Sequence, residues 1–136
     1  MMDYLLDTNT LSALIETNDA VVTRVSRVGG AEYVYSSVIA EGELLYGLAN
    51  AAAHKKEWLA ERIQTGLRAM ADLIPVSRAA AEAYCNIRYH LKVTGQPLPD
   101  NDTWIAAVAM ANNYTLVSHD AAFARIPGLR LEDWLA

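Results

Sequence analysis

The chain has one cysteine, Cys85, among its 136 residues, so no internal disulfide can form. That usage fits a reducing intracellular compartment. No apolar run approaches the roughly 18 residues that a membrane span needs. The leading apolar stretch, Tyr4-Leu5-Leu6, is too short for a signal-peptide core, and Asp3 and Asp7 flank it. A cytoplasmic protein without membrane association is expected. Positive charge is scarce: eleven basic against sixteen acidic residues give a net charge of −5. This argues against a broadly basic nucleic-acid-binding surface, because phosphate contacts supply most non-specific affinity. It does not exclude a nucleic-acid enzyme, since an acidic site filled with divalent ions is locally inverted in charge. Internal repeats and low-complexity tracts are absent, and Thr94-Gly95-Gln96-Pro97-Leu98-Pro99 is the only extended breaker stretch.

What is present is a chain that is 53% hydrophobic, enough for a core without disulfides. At this length a single domain over residues 1–136 is expected. Short β-prone runs alternate with helical periodicity. Tyr4-Leu5-Leu6 reads as a buried strand and residues 9–16 as a helix. Thr17-Asn18-Asp19 offers N-cap residues for a second helix over 20–28, which Gly29-Gly30 ends. Glu32 to Tyr35 reads as the next strand, and Ser36 and Ser37 are cap candidates for the helix through Leu44, Leu45 and Leu48. A helix over 54–71 carries Lys55, Lys56, Arg62 and Arg68 on a face expected to be solvated.

Leu73-Ile74-Pro75-Val76 reads as an edge strand because of Pro75. Ser77 can cap a helix over 78–93, in which Cys85 is expected to be buried. The 102–112 helix is apolar almost all round, which places it centrally or at a subunit interface. Tyr114 to Val117 and Leu129 to Leu131 complete the strands, with a short helix from Ala121 to Arg125 between them. Trp58, Trp104 and Trp134 are expected in core or interface positions. His54 and His90 have no partner motif and are expected to be packing or surface residues. Strands separated by helices predict a parallel sheet covered on both faces.

Four carboxylates draw attention together. Asp7 and Asp120 each follow a strand, on the side where open parallel sheets bind ligands. Asp102 begins the apolar helix. Glu43 lies among Ile39, Tyr46 and Gly47 at helical spacing, an odd place for an unpaired carboxylate. Each also has a structural reading. Asp7 and Asp102 can be helix caps, Asp120 a turn residue, and Glu43 a solvated or ion-paired helix residue. If the four converge, their like charges need cations or protons. Mg²⁺ and Mn²⁺ prefer such oxygen ligands, and no Cys/His cluster suggests zinc.

The segments Leu5-Leu6-Asp7-Thr8-Asn9, Glu43-Leu44-Leu45-Tyr46-Gly47, Asn101-Asp102-Thr103-Trp104-Ile105-Ala106-Ala107 and Leu116-Val117-Ser118-His119-Asp120-Ala121-Ala122-Phe123 resemble the four motifs of PIN-domain ribonucleases. The closing Arg125 to Trp134 stretch resembles the tail of the VapC-type toxins in that family. The resemblance is collinear and covers nearly the whole chain. It implies a three-layer α/β/α fold with a central parallel sheet of about five strands. It also implies a Mg²⁺- or Mn²⁺-dependent endoribonuclease, the toxin of a type II toxin-antitoxin pair, usually dimeric and inhibited by a cognate VapB-like antitoxin.

The family's acidic positions fall on Asp7, Glu43, Asp102 and Asp120, as metal ligands and catalytic residues. Its hydroxyl positions fall on Thr8 and Ser118 in supporting roles. His119 stands where Asn is common. Asp100 and Glu41 lie two residues before Asp102 and Glu43. The stripe Asp102 shares with Ile105, Ala106 and Ala109 favours Asp102, and the family pattern favours Glu43. Other readings are a PIN-like module that binds without cutting and a haloacid dehalogenase-type phosphohydrolase. The latter would want an aspartate where Asn9 stands, and a catalytic lysine that is hard to place here.

Overall fold

The computed structural model describes residues 2–135. Five short strands, β1 (Tyr4–Leu6), β2 (Val34–Ser37), β3 (Leu73–Ile74), β4 (Thr115–Val117) and β5 (Leu131–Glu132), make one parallel sheet. Their order is β3-β2-β1-β4-β5. Six helices cover it: α1 (Thr8–Ile15), α2 (Asp19–Arg27), α3 (Val38–Ala49), α4 (Lys56–Arg68), α5 (Arg78–Val93) and α6 (Asp100–Ala111).

The alternation of side chains along a strand divides the core in two. Leu5 and Leu116 point to one face, where they meet Ala80, Ile87 and Leu91 of α5 and the buried side of α6. Tyr4, Leu6 and Val117 point to the other, against Leu11 and Ile15 of α1 and Ile63 and Leu67 of α4. The α/β/α layering read from the sequence is therefore present. Ile105 to Ala109 of α6 are all 0% exposed. A helix apolar all round can be buried on every side, and the small Ala106, Ala107 and Ala109 let its neighbours approach.

Helix starts follow the sequence closely. The side chains of Asp7, Asn18, Ser37 and Ser77 accept from the backbone N–H groups of Thr10, Val21, Ala40 and Ala80. Each satisfies a donor that the first turn would otherwise leave unpaired.

Strand limits differ more. Strand β2 starts at Val34 rather than Glu32, because Glu32 N–H turns back to the Gly29 carbonyl. It runs on through Ser36 and Ser37, which pair with Leu73 and Ile74 of β3. The expected 54–71 helix begins as a 3₁₀ turn, Ala53–Lys55, before α4 proper. The last strand is Leu131–Glu132, since a turn closed by Leu129 N–H on the Ile126 carbonyl occupies its expected start. Strand β3 does lie at the sheet edge, as Pro75 implied.

Two side chains depart from expectation. Cys85 is exposed, not buried, because it falls off the Ala80, Ile87 and Leu91 stripe by which α5 meets the core. Arg62 is half-buried rather than fully solvated: its Nε and Nη2 donate to the Ile15 carbonyl at 3.2 and 2.6 Å, binding α4 to the end of α1. Of the two positions expected for Trp58, the core is ruled out: it is 59% exposed, with the Arg62 guanidinium over its ring. Trp134 is buried edge-on to Tyr4, and Trp104 stacks on Tyr84.

Candidate active site

The strand order makes a crevice. The chain steps outward from β1 to β2 to β3, and the α5–α6 connection then returns it to the other edge of β1. The segments leaving β1 and β4 part to opposite faces. Leu11 of α1 packs on one core, and Phe123 of the 3₁₀ turn Ala121–Arg125 packs on the other. Such a reversal point, beyond the carboxyl ends of the strands, is where open α/β sheets hold ligands.

Asp7 is the first residue past β1. Its N–H donates to the Val117 carbonyl at 3.0 Å, extending the β1–β4 ladder by one bond. Its Oδ1 accepts from Thr10 N–H at 2.8 Å, and the residue is only 4% exposed. Oδ2 has no hydrogen bond. No fully buried side-chain oxygen among the described residues lacks a partner, so Oδ2 keeps some solvent access beyond the end of β1. Thr10 Oγ1 donates to the same Val117 carbonyl at 3.2 Å, which fixes the start of α1 against the end of β4.

Beside it, Ser118 is 2% exposed and shapes the loop after β4. Its Oγ accepts from Asp120 N–H at 3.0 Å. Asp120 Oδ1 accepts from Ala122 N–H at 2.9 Å, so Asp120 caps the 3₁₀ turn as well as facing solvent. From the other flank, Glu43 comes from the second turn of α3. That helix is placed by the Ser37 cap and by Ser36 Oγ, which donates to the Leu6 carbonyl at 2.8 Å. Thr8 Oγ1 donates to Glu43 Oε1 at 2.7 Å and so fixes the carboxylate's orientation.

Asp102 is half-buried in the first turn of α6, whose cap position is Pro99. Asp102 is thus not a cap. Burial pushes its carboxyl above the usual carboxylate range, and the charges of Glu43, Asp7 and Asp120 push it further the same way. That field groups the four carboxylates in space. Among the described residues, however, no three Asp, Glu, His or Cys side chains stand in a ready-made metal-ligand set.

The neighbours sort themselves by partner. Asp100 is engaged elsewhere: Tyr84 Oη donates to its Oδ1 at 3.3 Å, and Arg88 Nη1 lies 3.4 Å from the same oxygen. Glu41 is not among the charges acting on Asp102. His119 pairs through Nδ1 with Asp133 Oδ2 at 2.8 Å. Asn9 is exposed on α1.

As a donor set the group suits a hard cation. It offers carboxylate oxygens with hydroxyls behind them, and none of its four acidic members is Cys or His. Positive charge placed among them would relieve the repulsion that Glu43, Asp7 and Asp120 exert on Asp102. A groove of about 460 Å³ runs from Glu43 along α3, lined by Val38, Ile39, Gly42, Tyr46 and Asn101. Only Glu43 is charged there, and no local pattern foretells the groove, because its walls come from helices about sixty residues apart in the chain.

The PIN domain family matches residues 4–129. The chain belongs to the PIN-domain family. Its full-length likeness is to VapC members: it is 31% identical over 135 residues to ribonuclease VapC2 of Rickettsia felis, covering 98% of both chains. It is 28% identical to the tRNA(fMet)-specific endonuclease VapC of Salmonella typhimurium, covering 98% of this chain and 99% of that one. Among solved structures, VapBC2 from Rickettsia felis bound to a DNA fragment from their promoter superimposes with a TM-score of 0.91 at 30% identity. The match covers 98% of this PIN domain and 99% of the other chain. The resemblance read from the four motifs is confirmed at the level of the VapC family, which sets aside the phosphohydrolase alternative.

Proposed function

We propose that this PIN domain is a VapC-type endoribonuclease toxin that hydrolyses RNA phosphodiesters at Asp7, Glu43, Asp102 and Asp120. The observation that carries the reading is the placement of Asp7 and Asp120 just past β1 and β4 at the reversal point, with Thr8 tying Glu43 of α3 to the start of α1 and Asp102 close enough to feel all three charges. The RNA-directed activity named for its VapC relatives supports the substrate class.

Asp7, Asp102 and Asp120 would hold Mg²⁺ or Mn²⁺, with Glu43 directly or through water. Held there, such an ion would supply an activated water and would offset charge growing on the phosphate and the leaving oxygen. The protein's own part is orientation. Asp7 is held by its cap bond and by the ladder, so its free oxygen points one way. Thr8 keeps Glu43 turned toward the site, and Ser118 sets the loop that carries Asp120. Holding such groups in place before substrate arrives is where most of the rate enhancement comes from. Restraint by a VapB-like antitoxin and action in the cytoplasm belong to the same reading. The VapBC2 assembly of the structural relative supports the partner.

The test is cleavage of total cellular RNA by purified protein with added Mg²⁺ or Mn²⁺. The intact chain cuts internally, and chelation stops it. Asp7→Asn loses at least about 100-fold in rate while keeping its circular-dichroism spectrum. Full activity in that variant would overturn the site.

A further inference from the structure

We propose that the groove beside Glu43 is a base-stacking subsite, in which Tyr46 receives the RNA base next to the scissile phosphate. This rests on the endoribonuclease reading and deepens it.

Tyr46 is 73% exposed, although it sits on the same apolar helix as Leu44 and Leu48, which pack into the core. Its ring stacks on no other aromatic residue, and neither its hydroxyl nor the Asn101 amide hydrogen-bonds a described residue. Residues three apart on a helix carry Cβ atoms about 5–6 Å apart. Tyr46 therefore stands roughly one nucleotide step from Glu43. Between them the groove floor is bare at Gly42, where a Cβ would meet nothing within 4 Å. The opposite wall is Asn101, adjacent in sequence to Asp102. One groove thus joins a site carboxylate to an exposed ring and a free amide.

Charge decides the occupant. A net charge of −5 argues against drawing RNA by broad phosphate pairing. Affinity must come from local contacts beside the reacting phosphate. Aromatic stacking serves any base and needs no cation. The groove shares Glu43 with the carboxylate site, and Asn101 on its wall directly precedes Asp102, so it lies beside the place where the reacting phosphate would sit. The Asn101 amide, with donor and acceptor capacity, is placed to read a base edge.

The experiment measures binding of short single-stranded RNA of randomised sequence to Asp7→Asn protein in Ca²⁺. Cleavage by the otherwise intact chain in Mg²⁺ is followed in parallel. Tyr46→Ala and Tyr46→Leu should each weaken binding roughly five- to hundredfold and raise KM by a like factor with kcat little changed. Tyr46→Phe should stay within about twofold, because stacking needs the ring and not the hydroxyl. Melting temperatures should not move. Equal weakening by Phe would overturn stacking in favour of a hydroxyl contact. Unchanged RNA binding in all three variants, with loss of a dimer in sedimentation or of inhibition by a VapB-like antitoxin, would assign the face to a protein and overturn the proposal. If the intact chain neither binds nor cuts RNA, the endoribonuclease reading itself falls. A cutting enzyme indifferent to Tyr46→Ala sinks only the subsite.

Discussion

Asp7 performs two tasks with one carboxylate. Oδ1 closes the first turn of α1 through Thr10 N–H, and Oδ2 is left to the crevice. The cap bond removes the side chain's rotational freedom, so the free oxygen is presented in one orientation. Asp102 lacks that support. Burial and three neighbouring carboxylates oppose its charge, which has a consequence for stability. Its carboxyl holds a proton in the folded chain at pH values where the unfolded chain, titrating near 4, has released it. The stabilisation is complete below the unfolded value and is lost as pH rises through the raised folded value. Metal-free protein should therefore melt at a lower temperature at pH 7 than at pH 5. Asp102→Asn should flatten that trend and raise the melting temperature at pH 7, as followed by circular dichroism in chelator. An Asp102→Asn melting temperature below that of the parent at pH 7 would contradict this account.

At the scale of elements, the closest fit is between α1 and α4. A Cβ built at Gly66 would run into Cγ1 of Ile15, itself buried and β-branched, so the two helices meet where α4 has no side chain. Arg62, one turn earlier, donates to the Ile15 carbonyl and closes the end of α1. Gly66→Ala would gain about 1 kcal/mol in helix propensity. It should nevertheless lower stability by roughly 1–3 kcal/mol, because an overfilled contact shifts a stiff side chain. Urea unfolding measures the difference, and a stabilised variant would show that α1 yields easily. Since α1 begins at Asp7, strain there should also reduce activity, unlike strain on the outer turns of α5.

For the whole molecule, acidity and function are linked. Carboxylates collected at the reversal point repel one another, and the fold must hold them there against that repulsion. A divalent ion bound only by the folded chain stabilises it by mass action, about 2.7 kcal/mol at a hundred times its dissociation constant. Mg²⁺ or Mn²⁺ should raise the melting temperature of the intact chain by several degrees, and Asp7→Asn should lose most of that rise. Differential scanning calorimetry with and without chelator is the check. An equal rise in the variant would place the ion elsewhere.

The layering, the cap residues and the neighbourhood of the site were legible in the sequence, because each leaves a local signature. Short apolar, β-prone runs mark the strands, Asp, Asn and Ser mark the helix starts, and an acidic residue after an apolar run marks a strand's end. Strand limits were less legible. Ser36 and Ser37 read as caps, and only pairing with β3 makes them strand residues as well. Cys85 and Arg62 were misplaced because side-chain environment depends on which stripe of a helix meets another element. Spacing could not separate Asp102 from Asp100. The structure separates them by partner, tying Asp100 to Tyr84 and Arg88 and setting Asp102 in the field of the other three carboxylates. The sequence by itself determined the fold class and the family, since both rest on patterns read along the chain. Only the tertiary structure decided which oxygens face the crevice and that Glu43, Tyr46 and Asn101 share one groove, because those relations hold between segments that the chain keeps far apart.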